Sequence, residues 1–248
     1  MEKRTFNPYE LAQLTKHGFG DVALSGAADR DIPVEYITGR CEFMGRDFRV
    51  SRDTLIPRIE TEELVRMALD FVTASGASEV SFADIGTGSG AIGISFAAEA
   101  KRLGVSASGV LADISENAAT IARENTAVFL AESDRVPVVL SDLMSDIPGG
   151  PFGVIFANLP YVPSDNVPRL DASVRDFEPV LALDGGPDGL DLVRRVLSQA
   201  EGRIAPAGAV FLEVDDSHVD ASEFADRWNV DIRKDSFGNN RFWVALPK

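Results

Sequence analysis

The tetrad Asn158-Leu159-Pro160-Tyr161 follows directly on the apolar run Val154-Ile155-Phe156-Ala157. An ordinary turn has little use for an amide, a proline and an aromatic ring at the end of a buried strand. The same set suits a planar NH2 group. The Asn158 side-chain oxygen and the Leu159 carbonyl can accept its two N–H bonds, while the Tyr161 ring covers its plane. Pro160 locks the turn by fixing its own backbone dihedral. A nitrogen of this kind is a poor nucleophile because its lone pair is delocalised. Holding both N–H bonds turns the lone pair toward an electrophile, and orientation and proximity then supply most of the rate. No dedicated general base is evident, and the proton can leave after transfer. The competing reading of the tetrad is a plain loop.

A second constellation lies upstream in Asp84-Ile85-Gly86-Thr87-Gly88-Ser89-Gly90. Glycines at a strand-to-helix turn let the backbone approach a ligand closely. The spacing is G-x-G-x-G, not the G-x-G-x-x-G of dinucleotide binders. By itself it also reads as a structural turn. Asp113 ends the next strand, where an acid characteristically accepts both ribose hydroxyls of an adenosine. Asp142 ends the strand after that, placed to accept from an adenine amino group with Leu143 against the ring. Either acid also reads as a helix N-cap. An adenosine site without a pyrophosphate site fits S-adenosylmethionine better than NAD. The two constellations together imply transfer of a methyl group onto nitrogen.

These residues need a scaffold that brings strand ends together. Apolar segments at 80–85, 108–113, 136–140, 154–157 and 209–214 alternate with helical stretches at about 90–103, 115–129, 188–204 and 218–228. Such alternation predicts a largely parallel sheet covered on both faces, with ligands at the carboxyl ends of its strands. The end of the chain differs: 230–234 and 241–245 flank Phe237-Gly238-Asn239-Asn240 and read as a closing hairpin at the sheet edge. Near the other end, Pro8 to Leu14 predicts one short helix, and Gly18, Gly20 and Gly26 break the stretch after it. The segment from Pro33 to Pro57 reads as paired strands, with a turn inside Glu42–Val50. Thr61 is the predicted N-cap of a helix carrying Leu64, Ala68, Leu69 and Val72 on one face.

The composition narrows the function classes. The 248 residues are 45% hydrophobic and 25% charged, as in a soluble globular protein. No apolar run approaches the roughly 20 residues of a membrane helix. The start, Met1 to Phe6, has no apolar core behind its charges, so export is not expected and a cytoplasmic location is. One cysteine, Cys41, and two histidines, His17 and His218, argue against a disulfide or a cysteine- or histidine-built metal site. The net charge of −15 opposes nucleic-acid binding and favours a basic protein partner.

From residue 33 onward the sequence resembles the peptide chain release factor glutamine methyltransferases. The likeness rests on Pro33 to Gly39, Glu42-Phe43-Met44-Gly45, Leu55 to Glu62, the tetrad, Phe177-Glu178-Pro179 with Leu181 to Leu190, and Asp235 to Arg241. The resemblance implies a class I S-adenosylmethionine-dependent methyltransferase fold. That is a mostly parallel doubly wound sheet with an antiparallel C-terminal hairpin, preceded by a small β-hairpin region. Residues 1–57 would form the N-terminal segment and hairpin linker, and residues 58–248 the methyltransferase domain. It further implies S-adenosylmethionine as cofactor and the glutamine of a release factor's Gly-Gly-Gln loop as acceptor; that no membrane or direct nucleic-acid partner is expected rests on the apolar runs and the charge.

Three departures stand out. Leu159 replaces the first proline of the family's tetrad, keeping the carbonyl while loosening the turn. Ile59 replaces a proline after the hairpin. Residues 1–32 stand where the family carries a helical domain that grips the release factor, so partner choice is the expectation most exposed to change. Rival readings are a glutamine methyltransferase acting on a ribosomal protein, an amino-methyltransferase acting on a nucleic-acid base, and a non-catalytic adenosyl-binding scaffold. Arg58 and Glu178 read as surface ion-pairing residues.

Overall fold

A computed structural model describes residues 4–26, 31–134 and 136–248 of the chain. The first helix, α1 (Pro8–Lys16), starts at a capping box in which Asn7 and Glu10 satisfy each other's backbone N–H groups, with Pro8 in the first turn. Two further short helices, α2 (Gly20–Ser25) and α3 (Val34–Thr38), differ from the sequence reading. Gly20 opens α2 instead of breaking it, and Gly26 ends it in a left-handed C-cap. Phe6, Leu14 and Val34 close a small core between these helices. The paired strands are confined to β1 (Arg40–Phe43) and β2 (Arg46–Arg49). Met44 and Gly45 join them at φ 48° and 70°, the two positive values that match a hairpin's twist.

The helix α4 (Thr61–Ala74) leads into alternating elements: β3 (Glu79–Ile85), α5 (Ala91–Arg102), β4 (Ser106–Asp113), α6 (Glu116–Phe129), β5 (Val138–Leu140) and β6 (Phe152–Ala157). After β6 come the one-turn helix α7 (Ala172–Arg175), then α8 (Asp191–Ala200), β7 (Ile204–Glu213), β8 (Trp228–Lys234) and β9 (Asn240–Pro247). The predicted helix at 218–228 is absent; only a single 3-10 turn, Ser222–Phe224, forms there. Local side chains compete with helical bonding: Asp215 caps Ser217 N–H and Asp220 caps Ser222 N–H.

The seven-stranded sheet has the order β5-β4-β3-β6-β7-β9-β8, parallel from β5 to β7 and antiparallel beyond. The chain builds outward from β3 to β5, then crosses back to place β6 on the other side of β3. That reversal opens a crevice at the carboxyl ends of the strands. Register puts the ends level, since Ile85 pairs with Ala112 on one side and Ala157 on the other, and Ala157 pairs with Leu212. Gly86, Asp113, Asn158 and Glu213 therefore leave the sheet along one edge.

Strand alternation fills both faces. On one side Phe96 packs on Phe82 and Phe156, and Phe156 on Phe211, with ring centroids 5.1–5.9 Å apart, and Phe43 and Phe48 of the small hairpin join that cluster. Ile85, Ile155 and Leu212 meet Val193, Val196 and Leu197 of α8 on the other. Truncating one such phenylalanine to alanine costs about 3–5 kcal/mol, so the strand ends are anchored by the core beneath them. Among the described residues no helix is long and apolar enough to cross a membrane.

Candidate active site

The glycine loop is held from below and beside. Gly86 and Thr87 both donate their N–H to the Ala112 carbonyl at 2.9 Å. Asp84 lies fully buried beneath the turn, its Oδ2 accepting from the Thr87 hydroxyl (2.6 Å) and Gly93 N–H (3.0 Å). Burial pushes its carboxyl up to about 6, against the lowering by those two donors. Its other oxygen has no partner among the described residues. Asp84 is thus a support of the loop and is not on the cavity wall.

Asp113 is on the wall. Its carboxylate accepts from Gly88 N–H (2.8 Å) and Ser115 N–H (2.9 Å), which clamps the loop to the end of β4. A carboxylate offers about four acceptor positions, so capacity remains toward the cavity. Burial raises its pKa, and the backbone donors oppose the rise.

Above these residues lies a cavity of about 450 Å³, bordered among others by Gly86, Thr87, Gly88, Ser89, Asp113, Asp142, Leu143, Asn158, Leu159 and Pro160. That size is ordinary for a small-molecule site. A Cβ built on Gly88 would meet nothing within 4 Å; the φ of +55° is what favours glycine there, and its bare backbone stays open to the cavity. A Cβ on Gly86 would instead stand 2.8 Å from Leu159 Cδ2. Leu159 therefore closes onto the glycine loop. It is a core residue at 4% exposure, not merely a looser substitute for proline.

Leu143 holds φ +52°, a strained region for a leucine that costs of order 1 kcal/mol. Ser141 fixes it, donating its hydroxyl to the Leu143 carbonyl and accepting from Asp146 N–H. Asp142 is half-exposed and paired with Arg195 at 2.6 Å, and both border the cavity. The bare Gly88 backbone, the Asp113 carboxylate and the apolar Leu143 fit an adenosyl group in chemistry and in space. Gly90, at φ +84°, is the N-cap of α5 and is not on the wall.

On the other side of the cavity Asn158 donates its Nδ2 to Thr61 Oγ1 in a long 3.4 Å bond. Thr61 donates to Glu213 Oε2 (2.7 Å), and Tyr161 donates to Glu213 Oε1 (3.2 Å). Thr61 is consequently not the N-cap predicted for α4. Glu60 takes that position without a side-chain bond, and the hydroxyl is spent across the molecule. Tyr161 is not on the cavity wall in this structure, and burial together with the Glu213 charge raises its phenol pKa, so it keeps its proton.

Two ties escape sequence reasoning. Asn125, buried on α6, accepts from Arg49 N–H and donates to the carbonyls of Arg49 and Ser89, at 2.8–2.9 Å. It joins the small hairpin to the glycine loop. The available signal is a polar residue in step with Ala118, Ile121 and Ala122 on an otherwise apolar helix face. The second tie is Arg58 with Glu178, which is no surface pair: the Glu178 side chain is 1% exposed. Burial raises the Glu178 pKa while Arg58 opposes the rise, and the pair fastens the hairpin exit to the segment after α7.

Sheet order, level strand ends and this cavity define the fold of the class I S-adenosylmethionine-dependent methyltransferases. A methyltransferase from Pyrococcus furiosus shares the fold, with a TM-score of 0.58 at 16% identity, covering 98% of this chain and 99% of that one. The family model "Methyltransferase small domain" matches residues 67–170. Release factor glutamine methyltransferases are similar in sequence. That of Bradyrhizobium diazoefficiens is 43% identical over 73% of this chain and 59% of its own length. That of Prochlorococcus marinus is 35% identical over 87% and 74% respectively. The chain belongs to the release factor glutamine methyltransferase family. It spans about three fifths of the length of the first curated relatives it matches.

Proposed function

We propose that the chain methylates the side-chain amide nitrogen of a protein glutamine, with the Gly-Gly-Gln loop of a peptide chain release factor as its substrate in the cytoplasm. One observation carries the reading: Asn158 borders the same 450 Å³ cavity as Gly88 and Asp113. An amide that can hold an acceptor nitrogen is thereby set against a cradle that fits an adenosyl group. The relatives' names supply the rest.

In this reading Asp113 would hold the ribose hydroxyls, the backbone from Gly86 to Ser89 would cradle the cofactor, and Asp142 with Leu143 would receive the adenine. S-adenosylmethionine supplies an electrophilic methyl on a sulfonium when bound. Asn158 Oδ1 and the Leu159 carbonyl accept the two N–H bonds of the glutamine amide, which orients the nitrogen lone pair and replaces two bonds to water. Pro160 keeps both acceptors at one end of the strand. Glutamine loses one proton after transfer, and no residue of the site is needed as a strong base.

The test offers labelled S-adenosylmethionine to the purified protein with a release factor, ribosomal proteins and DNA in separate reactions. Label on the glutamine of the Gly-Gly-Gln protein is the expected result. Label confined to ribosomal protein would change the substrate, and label on nucleic acid alone would overturn the reading.

A further inference from the structure

Resting on that reading, we infer that Thr61 and Glu213 are positioning residues that decide which end of the Asn158 amide faces the substrate. The two ends of an asparagine side chain are nearly alike in shape, so packing cannot choose between them; hydrogen-bond partners must. The choice matters because an acceptor nitrogen with two N–H bonds needs the carbonyl end, and an NH2 facing it would set donor against donor.

The selection runs through a single proton. Glu213 ends β7 with its side chain 1% exposed, and as a carboxylate it can only accept. Thr61 has one hydroxyl hydrogen and spends it on Glu213 Oε2 at 2.7 Å. Toward Asn158 it can then offer only a lone pair, which the NH2 end alone can meet, 3.4 Å away. Asn158 Oδ1 is left for the cavity. The other Glu213 oxygen takes the Tyr161 hydroxyl, so one carboxylate sets both polar side chains of the tetrad.

The charge of Glu213 has its own support. Arg241 of β9 stands 4.0 Å from Oε1 and is itself held by Asp235 at 3.0 Å. Asp235 in turn accepts from the N–H groups of Phe237 and Asn239. Burial raises the Glu213 pKa, and Thr61, Arg241 and Tyr161 counter that rise. A glutamine here can accept at one end only, because its other end is an NH2 donor, whereas Thr61 and Tyr161 approach opposite oxygens of Glu213. With its NH2 toward Thr61, it would send the threonine hydrogen onto Asn158 and favour the flipped amide.

Thr61→Val, Thr61→Ser and Glu213→Gln test this in the full-length protein. Three quantities are read: S-adenosylmethionine affinity by calorimetry, kcat and KM on a glutamine-bearing release factor, and the Asn158 NH2 signals in an ¹⁵N–¹H spectrum without substrate. Thr61→Val should lower kcat by about 10²-fold with cofactor affinity held within about threefold, and Thr61→Ser should restore kcat. In the wild type the Asn158 NH2 should exchange slowly with solvent. That protection should persist in Thr61→Ser and disappear in both Thr61→Val and Glu213→Gln.

Equal loss in Thr61→Ser and Thr61→Val would overturn the inference, because shape and not the hydroxyl would then be at stake. An unprotected Asn158 NH2 in the wild type would overturn it even if every variant failed to fold. The spectra also separate the two claims. A protected, Thr61-dependent amide in a protein that methylates no glutamine would sink the proposed substrate and leave the relay standing.

Discussion

The two sides of the cavity leave the same sheet edge yet are assembled in opposite ways. The cofactor side is made of near neighbours and backbone: Thr87 bonds Asp84 three positions away, and Gly88 bonds Asp113 across 25. The acceptor side is made of distant side chains. Tyr161 and Glu213 are 52 positions apart, Asn158 and Thr61 97, Thr61 and Glu213 152. Backbone donors at adjacent parallel strands come into place whenever the strands pair. A chain of hydroxyls and carboxylates forms only when α4, β6 and β7 have all packed. The first side should therefore tolerate loss of a partner by local adjustment, while the second should fail as a unit.

Substitutions on each side separate these behaviours. Asn158→Ala should lower kcat by about 10³-fold, about 4 kcal/mol in the barrier, while calorimetry finds cofactor affinity nearly unchanged. If affinity collapsed equally, Asn158 would belong to the cofactor side and the division would be wrong. Asn125→Ala strips three hydrogen bonds, one buried and two partly buried, that tie the hairpin to the glycine loop. It should cost about 3 kcal/mol in urea unfolding. Loss near zero would mean that the two regions are not mechanically joined there.

Asp84→Asn probes the support under the loop through pH. The folded carboxyl sits at about 6, above the ordinary 3.8. A raised pKa means that the neutral acid favours the fold: that contribution is complete below 3.8 and is lost as pH rises through about 6. The asparagine variant has no such loss, so it should gain on the wild type by up to about 3 kcal/mol between pH 4 and pH 7. Parallel stability curves for the two proteins would refute the buried charge. The smallest expected effect is Asp113→Ala, which leaves Gly88 and Ser115 N–H without a partner. It should weaken S-adenosylmethionine binding by about 30-fold, about 2 kcal/mol, and leave kcat at saturating cofactor within a few-fold. A collapse of kcat there would erase the contrast between the two sides.

Legibility divides along the same line. Gly86, Gly88, Asp113 and Asn158 stand out in the sequence because a strand end announces itself by its apolar run, and the strand then places the residues just beyond it. Thr61 misleads for a local reason: a threonine before acidic residues looks like an N-cap, and only the packing of α4 against β7 reveals another partner for its hydroxyl. Glu213 closes the run Val210-Phe211-Leu212 as any solvated strand end would. Arg58 and Glu178, 120 positions apart, look like surface charges until the hairpin exit folds over the segment after α7. The stretch at 218–228 has helical length, but Asp220, like Asp215 just before the stretch, takes a backbone N–H two residues on first.

Residue order alone was enough for the parallel sheet, the glycine loop, the acid after β4 and the amide after β6. Each is written in residues that are neighbours along the chain or in a strand's own periodicity. Packing in three dimensions was needed to show that Leu159 closes on Gly86, that Asn125 bridges hairpin and loop, and that Asn158 leans on Thr61 and Glu213. The difference arises because a hydrogen bond has a direction as well as a place. The sequence names the groups that can donate or accept, and only their mutual arrangement settles which does so toward the substrate.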